Sequence, residues 1–143
     1  MPFPAFHGTL WPTLTSDMEV SPNDRNKIYA ATMGYITPYS CSVSNRGAFR
    51  SDDGGVNWQA INDIGISNLD LFPIFQLILD PASLTQLYAV TGFSGVFRST
   101  NSGNSWSGFT SLGLPIPTFT RKVAIGGNNI YALTSNGIFV NAK

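Results

Sequence analysis

The sequence predicts an all-β fold: a β-propeller of four-stranded antiparallel blades, three to a chain, with two chains making a six-bladed ring. Three observations predict it. The segment Arg50-Ser51-Asp52-Asp53-Gly54-Gly55-Val56-Asn57-Trp58 returns 48 residues later as Arg98-Ser99-Thr100-Asn101-Ser102-Gly103-Asn104-Ser105-Trp106. An Ile/Leu-Tyr-Ala triplet occurs at 28–30, 87–89 and 130–132, each time followed by a Gly-x-Phe triplet, at 47–49, 95–97 and 137–139. Only 11% of the 143 residues are charged, and 14 Gly and 9 Pro punctuate the chain, which suits short strands and frequent turns rather than helices. Repeats of about 40–50 residues, each carrying four short strands, mark propeller blades.

The elements follow in order. In the first unit, residues 17–61, strands are expected near 17–20, 27–32, 47–51 and 57–61. Ser21-Pro22 makes the first turn and the box makes the last, because Pro fixes φ and Asp, Ser and Gly favour turns. The second unit, residues 75–109, repeats this with strands near 75–79, 86–91, 95–99 and 105–109, and Asp80-Pro81 stands where Ser21-Pro22 stood. The third, residues 121–141, has strands near 121–125, 129–134 and 137–141, and its Trp-bearing fourth strand is missing at that end. The start of the chain supplies a counterpart. Gly8-Thr9-Leu10-Trp11 has the spacing of Gly55 to Trp58 and of Gly103 to Trp106, so residues 8–14 are expected to complete the third blade, in cis or in trans.

The two boxes resemble the Asp boxes of the BNR-repeat, sialidase-like propeller superfamily. Ser51, Asp53, Gly55 and Trp58 match in full; Ser99, Gly103 and Trp106 match with Asn101 in place of Asp. The resemblance implies a structural role for these eight residues, away from the ligand-binding face. An Asx side chain bonds turn amides, Gly supplies a positive φ, and Trp offers a large apolar body with one N–H to satisfy.

Three blades are fewer than the usual four to eight of a ring. Left alone, an arc would expose two apolar faces, so association is expected, and a closed two-fold pair is the commonest solution. A homodimeric six-bladed ring is therefore expected, with Gly8 and Trp11 at the closure. A piece of a longer propeller, or closure within one chain, stand as alternatives.

Zero formal net charge gives no reason to expect nucleic acid or an anionic membrane. No apolar run approaches the roughly 20 residues of a membrane span, and the first residues lack the pattern of a signal peptide, so a soluble protein of open compartment is expected. The single cysteine, Cys41, excludes an intrachain disulfide, and no cluster calls for a metal or a cofactor. The stretches 33–46 and 62–74 read as long loops, where rigid scaffolds usually carry function. Tyr35, Tyr39, Asn62, Asp63, Asp70 and Phe93 are accordingly the candidate ligand-binding residues, an aromatic and polar mixture that suits a glycan or a protein equally. Asp17, Glu19, Gln76, Arg121 and Lys122 are expected close to the central channel.

Three function classes stay open. A non-catalytic binding module needs only scaffold and loops. A glycoside hydrolase of sialidase type would need an arginine triad, a Tyr–Glu pair and an acid–base Asp, none of which is recognisable; a carboxylate pair among Asp17, Glu19, Asp63 and Asp70 is the remaining catalytic option. A structural or assembly protein is the third. No catalytic residue is assigned.

Overall fold

The computed structural model describes residues 15–37, 40–62, 73–92, 94–109 and 118–143, with the backbone alone within 34–37 and 40–46. The described residues hold no helix and form three antiparallel sheets. In the first, β1 (Thr15–Ser21), β2 (Asp24–Thr37), β3 (Ser40–Ser51) and β4 (Gln59–Ala60) lie in that order. The second repeats the order with β5 (Gln76–Asp80), β6 (Ser83–Val90), β7 (Val96–Ser99) and β8 (Ser107–Gly108). The third holds β9 (Thr120–Gly126), β10 (Asn129–Thr134) and β11 (Gly137–Ala142). Each sheet is a meander, the product of tight turns at Ser21-Pro22, Asp80-Pro81 and Gly126-Gly127.

Register makes the three sheets superimposable residue by residue. Met18, Leu77 and Val123 of the first strands pair with Ala30, Ala89 and Ala132. Those alanines pair in turn with Phe49, Phe97 and Phe139. Directly paired residues point to the same side of a sheet, and successive ones alternate. Each sheet therefore has a head face, with the Ala-Phe pair, and a tail face carrying the conserved-register tyrosines Tyr29, Tyr88 and Tyr131.

Tail meets head at both internal junctions. Tyr29, Ala31 and Ala48 of the first sheet bury against Leu77, Leu79, Leu87 and Ala89 of the second. Tyr88, Val90 and Val96 of the second bury against Val123, Ile130 and Ala132 of the third. Every one of these is below a tenth exposed, which makes two cores of interleaved aromatic and aliphatic side chains. Side chains also cap backbone across the junctions. Leu77 N–H donates to Asp17 Oδ2 at 3.1 Å, and Val123 N–H donates to Gln76 Oε1 at 2.7 Å. Lys143 Nζ reaches the buried Asp80 at 2.8 Å.

Two expectations need correction. Residues 33–37 and 40–46 are not loop: β2 and β3 continue through them as a paired ladder, Met33 opposite Arg46, Tyr35 opposite Ser44 and Thr37 opposite Ser40. Backbone amides that would otherwise need water find partners across the hairpin. The fourth strands are also shorter than expected, because the boxes consume the amides up to the Trp; pairing begins only at Gln59 and Ser107.

Candidate functional site

The two boxes fold alike. Ser51 Oγ donates to Asp53 Oδ1 at 2.8 Å and accepts Gly55 N–H at 2.8 Å. Asp53 then accepts from Asn57, at Oδ1 from the backbone (2.8 Å) and at Oδ2 from the side-chain amide (2.7 Å). In the second box Ser99 Oγ donates to Asn101 Oδ1 (2.9 Å) and accepts Gly103 N–H (2.9 Å), and Asn101 Oδ1 accepts Ser105 N–H (2.9 Å). An amide oxygen thus takes the carboxylate's acceptor role. The bonds from Asn57 and Ser51 hold the Asp53 carboxyl below its ordinary value.

The tryptophans differ. Trp106 is 4% exposed between the first and second sheets, and its Nε1 donates to Ile61 O at 2.6 Å. Trp58 is half-buried on the head face of the first sheet, and its Nε1 donates to Gly55 O of its own box at 3.0 Å. Arg50 adds a second tie, donating to Ser102 O at 2.8 Å and Asn104 Oδ1 at 3.1 Å.

Of the candidate ligand residues, Tyr39, Asp63, Asp70 and Phe93 lie outside the described residues, as do Gly8 and Trp11. Tyr35 is placed within the β2 ladder. Asn62 is committed locally: its Oδ1 accepts Ala48 N–H at 2.7 Å, and it fills the space beside Gly47, whose φ is +119°. Asp17 is engaged through both oxygens, by Met18 N–H at 3.0 Å and by Leu77 N–H. Burial, helped by the Asp17 charge, raises the Glu19 carboxyl.

One concavity is not revealed by the sequence. A cleft of about 680 Å³ opens between Phe75, Phe119, Arg121, Leu133, Thr134 and Ser135. Phe75 and Phe119 meet edge to face, centroids 5.3 Å apart. They close over Gly92, where an added Cβ would stand 2.7 Å from Phe119, and whose φ of +72° favours glycine. Arg121 is the extra residue of a β-bulge, since Leu133 pairs with Lys122 and Thr134 with Thr120. A bulge re-aims a side chain, and this one puts an exposed guanidinium at the rim of an aromatic cleft. Nothing in the local pattern announces the cleft, because its residues come from the starts of β5 and β9, the turn after β6 and the turn after β10. Among the described residues no three His, Cys, Asp or Glu cluster as metal ligands.

No family model matches the chain, and no curated protein matches it. Solved structures do. The chain is similar to an ancestral GH74 enzyme at 22% identity with a TM-score of 0.64, over 85% of this chain and 16% of that one. It is similar to the GH74 xyloglucanase from Xanthomonas campestris at 18% identity and TM-score 0.58, over 84% of this chain and 18% of that one. It is similar to YCF48 bound to D1 peptide at 19% identity and TM-score 0.61, over 90% of this chain and 38% of that one. The chain thus spans well under half the length of each. These neighbours establish the fold, an all-β propeller-type arrangement of antiparallel meander sheets.

Proposed function

We propose that this chain is a non-catalytic β-propeller binding module of the Asp-box type, and that its ligand is an acidic peptide segment seated in the Phe75–Phe119–Arg121 cleft. The observation that carries the reading is the cleft itself: an apolar aromatic pair packed over Gly92, with an arginine aimed at its rim by a bulge. Aromatic walls take apolar side chains, and an exposed guanidinium takes a carboxylate in a bidentate fork. The peptide-bound YCF48 neighbour supports a peptide over a glycan as occupant. On this reading the working unit is a homodimer, two three-bladed arcs making one six-bladed ring, with residues 8–14, Gly8 and Trp11 among them, supplying the last strand of the third blade. Tyr35, Tyr39, Asp63, Asp70 and Phe93 extend the binding face as its variable rim.

A glycoside hydrolase is the second reading, favoured by the GH74 neighbours. Asp17 counts against it, because a carboxylate holding two backbone amides is a structural acceptor rather than a proton shuttle.

The test is a linear peptide array and a glycan array probed with the whole chain and with Arg121→Ala. Binding confined to acidic peptides carrying an apolar residue, lost in Arg121→Ala, is the expected result. Hydrolysis of xyloglucan oligosaccharides or fluorogenic sialosides, or binding to glycans alone, overturns the reading.

A further inference from the structure

The two boxes hold the same turn, so what they share is what the turn requires. Shared are the serine, the Asx residue, the glycine and the tryptophan, with the serine and Asx bonds described above. Three polar side chains around the first box are not shared. Asp52, Asn57 and Gln59 stand where the second box has Thr100, Ser105 and Ser107. The tryptophans differ too: Trp106 is buried between two sheets, and Trp58 is only half-buried.

These differences converge on one place. Arg50, Asp52, Asp53, Asn57, Trp58 and Gln59 line a hollow of about 270 Å³. Arg50 pairs with Gln59 across β3 and β4, which sets the two on one side of the sheet. Arg50 Nε and Gln59 Nε2 both donate to Asp52 Oδ2, at 3.0 and 3.1 Å. Arg50 is itself fixed by Ser102 O and Asn104 Oδ1 of the second box, so the hollow is held in shape from both sheets. Asp53 is occupied by its own turn. Among the described residues nothing donates to Asp52 Oδ1, Asn57 Oδ1 or Gln59 Oε1. The indole N–H of Trp58 goes to Gly55 O, so what the ring adds to the hollow is apolar surface.

That combination selects a ligand. Acceptor oxygens ask for donors, and an indole wall asks for an apolar patch beside them. The cation of the hollow, Arg50, is paired with Asp52, and Asp53 adds a second carboxylate, so an anionic ligand would be repelled. A neutral sugar ring brings hydroxyl donors and a face of C–H groups. A volume just under that of drug-sized pockets has room for about one such ring. We propose that the first box carries a binding site for a single neutral pyranose, seated against Trp58 with its hydroxyls on Asp52, Asn57 and Gln59. The site shares no residue with the Phe75–Phe119–Arg121 cleft and does not depend on the ligand of that cleft.

The second box supplies the control. The double variant Asp52→Thr, Gln59→Ser gives the first box residues with which this chain already folds the same turn. The whole chain, labelled with nitrogen-15, is titrated with the methyl glycosides of glucose, galactose and mannose and followed by NMR. At least one sugar is expected to shift the Trp58 indole and the amides of residues 52–59 saturably. The double variant is expected to melt within a few degrees of the parent and to bind that sugar about tenfold or more weakly. Gln59→Ser alone removes one acceptor without touching the turn and is expected to weaken binding severalfold, which reads the site even where the double variant is unstable. Arg121→Ala is expected to bind the sugar as the parent does. No saturable shift with any of the sugars overturns the proposal, as does equal binding by the folded double variant or by Gln59→Ser. Shifts confined to Phe119 and Arg121 overturn it as well, because they put the sugar in the cleft.

Discussion

Trp106 is the sharpest test of how the first and second sheets are joined. Its indole is 4% exposed and its Nε1 holds Ile61 O at 2.6 Å across the junction. Trp106→Phe keeps most of the apolar body and removes the donor. The Ile61 carbonyl, itself on a residue 5% exposed, then lacks this partner, a loss of about 1–3 kcal/mol. Trp106→Ala removes the body as well and opens a cavity between the cores, for a total of about 3–5 kcal/mol. Against a typical total of about 5–15 kcal/mol, the alanine variant is close to unfolding. Urea unfolding followed by far-ultraviolet circular dichroism at one fixed protein concentration measures both, with an unchanged m-value as the sign of an unchanged folded state. A Trp106→Ala chain within about 1 kcal/mol of the parent would refute the reasoning, because nothing else at that position could replace a lost indole.

Other predictions follow from the same contacts. Gly92→Ala places a Cβ 2.7 Å from Phe119 at a φ of +72°, so it is expected to destabilise by more than about 1 kcal/mol and to weaken cleft binding, read by thermal melting and by titration. Asp53 has a carboxyl held below its ordinary value of 3.8, so its stabilising bonds are present above that pH and fade as pH falls through the lower folded value. Asp53→Asn is therefore expected to flatten acid unfolding below about pH 4; an unchanged acid transition would remove this role. Glu19 is the opposite case: its carboxyl is raised above 4.5, so the charged form opposes folding at neutral pH and the penalty disappears on acidification. Glu19→Gln is expected to raise the neutral melting temperature and to match the parent in acid, and equal melting at both pH values would contradict it.

The meander sheets were legible because their signals are local. Tyr-Ala triplets, Gly-x-Phe strands and the box turns recur at fixed spacing, and each is a few residues of self-contained chemistry. The β2–β3 extension was not legible. The stretch 33–46 reads as a loop, while the ladder is set by cross-strand pairing such as Met33 with Arg46, which leaves no mark in the residue pattern. The short β4 and β8 follow from hydrogen bonds within the boxes that the residue pattern implies but does not count. The cleft escaped altogether. Phe75, Gly92, Phe119 and Arg121 meet only because two sheets pack, and the aim of Arg121 depends on a bulge visible only in the register.

The amide in the second box has a chemical consequence. Asn101 is followed by Ser102, a small residue at a φ of +60°. Side-chain amides are lost slowly in water, either through attack by the next backbone nitrogen or by direct hydrolysis to aspartate, and the Ser102 N–H here is held by Thr85 O at 2.8 Å. The aspartate that direct hydrolysis produces is the residue the first box already carries, and Ser105 N–H and Ser99 Oγ would meet a carboxylate oxygen in place of an amide oxygen. Direct hydrolysis of that one amide would leave the turn with the carboxylate its sibling already uses, at the cost of the bond that Asn101 Nδ2 donates to Ser105 Oγ.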